Sequence, residues 1–299
     1  MVTAQQRPTT AEPPARTRPG AIEVRGLVKR YGDVQAVRGI DLSVAEGEVI
    51  AFLGPNGAGK TTTVEILAGH RRRDGGEVSV LGFDPADAPR AFREHIGIVP
   101  QETAVEPVLT VAETIELYAA AYPLHRPLHE VLDLVDLTEQ RDDRVSSLSG
   151  GQQRRLDLAI GIAGDPVLLF LDEPTTGFDP SARRRAWQLI RRLRARGKTI
   201  VLTTHYMEEA QQLADRVVVI AAGRIVAEGA PESLSAARPA RISYRFNGEL
   251  VAMETDTPTQ TLLTLLTWAD ASGTELEALT VTQPSLEDVY LQLTREEAA

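Results

Sequence analysis

The sequence has no cysteine, which excludes a disulfide framework, an iron–sulfur cluster and a thiolate-ligated zinc site, and permits a reducing cytoplasm. Lysine is nearly absent: Lys29, Lys60 and Lys198 are the only ones, and the rest of the positive charge is arginine. A net charge of −10 disfavours wholesale nucleic-acid binding, so the clusters Arg71–Arg73 and Arg183–Arg185 read as solvated faces. Long apolar runs are missing too. Val167–Leu171 and Val217–Ala222 fall well short of the roughly 20 apolar residues that span a bilayer. Residues 1–20 carry Pro8, Pro13, Pro14 and Pro19 without the apolar stretch of a signal peptide. They read as a disordered tail on a soluble chain, whose membrane role would come through a partner.

What remains, in 299 residues, suffices for one large domain and a small one. From Ile22 the pattern is short strands broken by turn residues, and a helix is expected from Lys60 to a glycine stop at Gly69. Strands resume in GEVSVLG and HIGIVPQ; residues 110–164 carry helical spacing. VLLFLDE then reads as a strand buried on both faces of a parallel sheet. Asp179-Pro180 suits a helix start, aspartate as N-cap and proline at the first position. Two further strand segments, TIVLTTH and RVVVIAAGRIVAEG, complete a mixed α/β sheet with packed helices. Beyond about Ala240 the pattern restarts as strand, helix, strand, helix, which predicts a separate βαβα appendage.

The most specific feature is GPNGAGKT, fitting G-x-x-x-x-G-K-[ST] between an apolar strand and a helix. Gly54, Pro55, Asn56, Gly57, Ala58 and Gly59 form a loop whose backbone N–H groups can point at phosphate oxygens, at the positive end of a helix dipole. Lys60 would neutralise β- and γ-phosphate charge, the Thr61 hydroxyl would ligate Mg²⁺, and Thr62 would add a phosphate hydrogen bond. The glycines lack the G-x-G-x-x-G spacing of a dinucleotide site. A phosphate loop needs an acid for its metal. Asp172, ending the buried strand, is the candidate, and the adjacent Glu173 can polarise an attacking water. His125 and His129 stand four residues apart, but no third ligand is evident and they are not assigned to a metal.

LSGGQ, Leu148–Gln152, narrows this broad class. It resembles the signature motif of ABC ATPases, with Ser149 able to cap a helix and Gly150 and Gly151 to leave its phosphate-binding end open. Other landmarks follow in that family's order, from about Ile22 to Glu232. Tyr31 sits where an aromatic residue stacks on adenine. Gln101 matches the Q-loop glutamine that senses Mg²⁺ and water, Asp179 the D-loop aspartate, and His205 the switch histidine near the γ-phosphate. The one departure is Phe178, where leucine is commoner in the family; as an apolar residue it implies only a local packing change.

The resemblance implies an ATPase that binds ATP and Mg²⁺, with Glu173 as general base, Lys60 and His205 stabilising γ-phosphate charge, and Gln101 completing the catalytic set. It further implies a dimer in which Ser149, Gly150, Gly151 and Gln152 of one subunit act on the nucleotide held by the other. The domains expected are a tail over 1–20, an ABC ATPase over 21–238 with a helical subdomain at about 102–164, and an accessory domain over 239–299. LTVAETIELYAAAY and the ending PSLEDVYLQLT resemble the daunorubicin-resistance branch of multidrug and antibiotic exporters. A separate integral-membrane permease would then dock at the Q-loop and the helices after it, on the cytoplasmic face of the membrane, and no nucleic-acid partner is expected. Two alternatives stand beside this: a soluble ABC ATPase working on nucleic acid or ribosomes, and an import ATPase. The first normally shows a long coiled-coil insertion or a second cassette, and this chain has neither; the ending leans against the second.

Overall fold

The computed structural model describes residues 20–101, 105–236, 239–282 and 285–296. The expectation of a disordered tail therefore lies outside the described residues, apart from Gly20, which opens the first strand. Strands β1 (Gly20–Tyr31) and β2 (Val34–Ala45) precede β3 (Val49–Leu53), the phosphate loop and α1 (Lys60–Leu67). Gly69 follows α1 at φ +77°, the left-handed stop that the sequence predicts. Next come β4 (Gly75–Val80), α2 (Arg90–Arg93), β5 (Ile96–Val99), α3 (Val111–Ala119), α4 (Leu128–Val135) and α5 (Gly150–Ala163). Then β6 (Leu168–Asp172), α6 (Pro180–Ala195), β7 (Thr199–Thr203), α7 (Met207–Leu213), β8 (Arg216–Ala221), β9 (Arg224–Gly229) and α8 (Pro231–Ala236) follow. The chain ends in β10 (Ala240–Phe246), β11 (Glu249–Thr255), α9 (Pro258–Ala271), β12 (Glu277–Thr282) and α10 (Leu286–Glu296).

Six strands form the main sheet in the order β5-β6-β7-β3-β8-β9, parallel except for β9. Every residue of β3, β6 and β7 is buried, as continuous apolar strands between two layers must be. Alternation sends their side chains to opposite cores. Val49, Ala51, Leu53, Leu169, Leu171, Ile200 and Leu202 join the core shared with α3–α7. Ile50, Phe52, Leu168, Phe170 and Val201 join the other, closed by the antiparallel sheet β2-β1-β4 and by α1. Phe178 is buried in the first of these cores.

The C-terminal segment differs from the sequence expectation by one strand. Its sheet has the order β11-β10-β12, all antiparallel, so the order is ββαβα. The cause is the Asn247-Gly248 turn, with φ of +52° and +82°. Asn-Gly at positive φ is the strongest short-range hairpin signal, and the sequence reading folded it into the end of a single strand. Leu286 of α10 is fully buried in the core beneath the main sheet, with Tyr290 packed against that core, so the last helix returns to the main sheet.

Candidate functional site

The carboxyl ends of β3, β6 and β7 are adjacent in the sheet and converge on one crevice, where α/β proteins of this topology bind ligands. Glycine geometry shapes the loop after β3. Gly59 has φ +103°, and a Cβ there would lie 2.4 Å from the Ala36 carbonyl oxygen; no other residue fits. Lys60 is buried at the head of α1, its Nζ donating to the carbonyls of Gly54 (2.7 Å) and Pro55 (3.1 Å). Burial pushes its pKa down, while Glu173 and Asp172 pull it back up. An ammonium has three donors, so one remains for an anionic oxygen. Thr61 and Asn56 are exposed and Thr62 half-exposed at the loop mouth; Ala58 and Gly59 are buried behind it.

Across the crevice, Asp172 ends β6 and Glu173 stands at φ +49°, a left-handed position that costs a non-glycine residue roughly 1–2 kcal/mol. Its N–H donates to the Thr203 carbonyl (3.1 Å) and hydroxyl (3.0 Å), and the same hydroxyl donates to Asp172 Oδ1. Thr203 thus links the Asp172 carboxylate to the Glu173 backbone from the end of β7. Two residues on, His205 Nδ1 lies 3.4 Å from Glu173 Oε2, which also accepts from Thr176 Oγ1 at 3.1 Å. The Thr61 hydroxyl stands 3.5 Å from Asp172 Oδ1. These are hard oxygens, and among the described residues no group of three or more His, Cys, Asp or Glu side chains could hold a metal. A hydroxyl and one carboxylate beside a phosphate loop fit Mg²⁺, which takes one or two protein oxygens and completes its shell with water and phosphate.

Arg154 was missed by the sequence reading. Buried on α5, its guanidinium donates to the carbonyls of Pro100 (2.6 Å), Gln101 (3.2 Å), Asp172 (2.8 Å), Glu173 (3.1 Å) and Pro174 (3.3 Å), and pairs with Asp157 at 3.4 Å. It therefore ties the segment after β5, the carboxylate pair and the LSGGQ helix into one unit. The Gln101 backbone is anchored in this way, and its residue is exposed at the crevice edge. The only sequence signal is an arginine five positions beyond Ser149 with Asp157 three residues further on, easily lost among so many arginines.

Tyr31, the Ser149–Gln152 turn and Asp179 have no side-chain hydrogen bond to the phosphate loop or to Asp172 and Glu173 among the described residues. Tyr31 is exposed, with Lys29 Nζ and the Arg71 guanidinium 5.5 and 5.2 Å from its ring centre. Ser149 caps α5 in a closed box with Gln152, while a Cβ at Gly150 or Gly151 would meet nothing within 4 Å. No hydrogen bond among the described residues joins this turn to the phosphate loop; α5 packs on α3, α4 and β5. Asp179 caps α6, its carboxylate accepting from Ser181 and Ala182 backbone N–H groups; those bonds hold its pKa below the usual carboxylate range.

Residues 37–176 match the ABC transporter family model, and residues 230–285 match that of an ABC transporter domain-containing protein-like C-terminal domain. The daunorubicin resistance ATP-binding protein DrrA2 of Streptomyces coeruleorubidus is 39% identical, over 92% of this chain and 95% of its own length. The Nod factor export ATP-binding protein I of Rhizobium sp. (strain N33) is also 39% identical, over 93% and 98%. Among solved structures, a dimeric ATP-binding cassette in a post-hydrolysis state, bound to ADP and Pi, superposes with a TM-score of 0.65 at 26% identity, covering 70% of this chain and 98% of that one.

Proposed function

Because the chain belongs to the ABC transporter family and is one of its ATP-hydrolysing, nucleotide-binding subunits, we propose that two copies close around two ATP molecules and so drive export of a drug- or antibiotic-like compound through a separate permease. The observation that supports this reading is a divided site: among the described residues no hydrogen bond joins the phosphate loop of the Lys60–Asp172–Glu173–His205 crevice to the Ser149–Gln152 turn, whose two glycines leave its end open. A second copy would bring its LSGGQ turn to the nucleotide that the first copy's phosphate loop holds. The names of the relatives, daunorubicin resistance and Nod factor export, favour export over import and over a role on nucleic acid.

In this reading, Gly54–Gly59 and Thr62 cradle the phosphates, Tyr31 stacks on the base, and Lys60 neutralises γ-phosphate charge. Thr61, Asp172 and Gln101 would hold Mg²⁺, which would offset phosphate charge. Glu173 Oε2 accepts a proton from the attacking water, and His205, 3.4 Å from it, orients that carboxylate and faces the γ-phosphate. Asp179, at the start of α6, belongs to the surface that the partner copy covers. Strands β10–β12 and helix α9 would form an accessory unit on their own sheet, tied back to the main core through Leu286 of α10.

No helix among the described residues is long and apolar enough to cross a membrane, so transport would require a permease. Its docking place is proposed as the apolar groove of about 440 Å³ lined by Ile96, Ile98, Pro100, Tyr118, Tyr122 and Ile160. The groove lies between β5, α3 and α5 and ends at the Q-loop, so a permease segment seated there would press on the backbone that Arg154 holds. The chain would then work on the cytoplasmic face of the membrane.

The test is light scattering coupled to size-exclusion chromatography on Glu173→Gln, with and without MgATP. The expected result is a nucleotide-dependent shift from monomer to dimer that Ser149→Arg abolishes. A Ser149→Arg protein that still dimerises on ATP overturns the shared-site reading.

A further inference from the structure

Glu209 is the one fully buried carboxyl among the described residues that the proposed chemistry leaves unused. It sits on α7, one turn beyond His205. A single oxygen, Oε1, accepts two hydrogen bonds, from Thr175 Oγ1 (2.8 Å) and from the Trp187 indole N–H (2.9 Å). Its Oε2 is buried and has no hydrogen-bond partner among the described residues. Burying a carboxyl this incompletely satisfied is costly. Packing does not require it, since Ala210 and Leu213 supply the apolar contacts of α7.

The partners explain the position. Thr175, itself fully buried, lies two residues beyond Glu173 in the turn that leads to Asp179. Trp187 lies on α6, the helix that Asp179 caps. One turn earlier on the same face of α6, the Arg183 guanidinium lies 4.2 Å from the Tyr206 ring centre, and that ring lies 4.1 Å from the His205 ring. Two parallel links therefore run from α6 to the segment holding His205, and one of them continues to the segment holding Glu173.

We propose that Glu209 is a positioning residue for hydrolysis, its carboxyl bracing Thr175 and Trp187 so that Glu173, His205 and the start of α6 are held as one unit. The brace spans the same two segments as the 3.4 Å contact between His205 and Glu173, one layer deeper in the protein. It rests on the roles assigned above to Glu173 and His205.

The test is steady-state ATP hydrolysis by the full chain, with the thermal midpoint of each variant recorded. Thr175→Val keeps the shape and removes one donor; Trp187→Phe removes the other. Each should lower kcat about tenfold and leave KM for ATP within about twofold, the pattern of a contact that matters only as the reaction proceeds. Thr175→Ser restores the hydroxyl and should restore kcat. Glu209→Gln keeps an acceptor for both donors and should hold kcat within about threefold. Folded Thr175→Val and Trp187→Phe proteins turning over at the wild-type rate overturn the proposal, as does a loss that Thr175→Ser fails to recover, or a change confined to KM. Glu173→Gln run alongside separates the two readings. If it hydrolyses ATP normally, the role given to Glu173 fails; if it is inactive while Thr175→Val is fully active, only the brace fails.

Discussion

The main sheet and the C-terminal sheet use the same strand chemistry under different burial. In β3, β6 and β7 every residue is buried, odd and even positions feeding separate cores. In β10 burial alternates, with Ala240, Ile242 and Tyr244 inside and Arg241 and Arg245 outside. The neighbouring β11 and β12 have no fully buried residue. Helix α9 packs on β10 yet leaves Leu263 and Leu266 exposed. The difference shows where rigidity is concentrated. The crevice residues stand at the ends of strands clamped from both sides, whereas the appendage is a thin layer whose turns and helix faces meet solvent.

The largest effect that would sharpen this contrast is chemical. Glu173→Gln should lower ATP turnover by roughly 10²–10⁴-fold, the range for losing a general base. Glu254→Gln, the same change on the exposed face of β11, should leave turnover unchanged. Equal activities in the two variants would remove Glu173 from the reaction. Next comes packing. Leu202→Ala, in the core beneath β7, should cost about 2–5 kcal/mol in denaturant unfolding. Leu266→Ala on α9, 46% exposed, should cost less than about 0.5 kcal/mol. A comparable loss at Leu266 would mean that α9 is covered by something in solution.

How much of this was legible in the sequence follows the same division. GPNGAGKT, VLLFLDE and Asp179-Pro180 are local signals whose physics is complete within a few residues: a glycine loop, a doubly buried strand, an N-cap with proline behind it. Each appears where it was expected. Hairpin β10–β11 was also locally encoded, by Asn247-Gly248, but its second strand, β11, is too exposed and polar to stand out by hydrophobicity. The contacts that assemble the crevice are a different case. Arg154 reaching carbonyls from Pro100 to Pro174, Thr203 linking Asp172 and Glu173 and Glu209 beneath them are long-range bonds. Nothing in the spacing of those residues announces their partners.

Arg154 gives the next prediction, intermediate in size. Arg154→Lys keeps the charge but replaces a planar, five-donor fork by a point charge that cannot serve five carbonyls at once. ATP turnover should fall about tenfold to thirtyfold, with KM for ATP nearly unchanged, as the carboxylate pair loses its backbone anchor. A matched change at Arg245, exposed on β10 with its guanidinium bonded among the described residues only to the Gly248 carbonyl at 3.4 Å, should have no measurable effect on turnover. If Arg154→Lys is equally silent, the carbonyl cluster is held by packing alone, and the clamped character of the main sheet extends past its strands into the loops.

The smallest expected effect compares two glycines with the same handedness. Gly248, at φ +82°, has open space where a Cβ would stand. Gly248→Ala therefore meets only the intrinsic penalty of a left-handed alanine, about 1 kcal/mol, and the hairpin should persist with a slightly lower thermal midpoint and full ATPase activity. Gly59, at φ +103°, would in addition drive its Cβ to 2.4 Å from the Ala36 carbonyl oxygen. That oxygen belongs to β2, which is paired with β1 and cannot recede without loosening the sheet. Gly59→Ala must then displace the phosphate loop itself, so ATP binding measured by calorimetry should weaken at least about tenfold even where the protein stays folded. Equal behaviour of the two variants would show that the loop after β3 is as pliable as the appendage turn, and the argument from clamped strands to a pre-shaped phosphate site would fail at its first step.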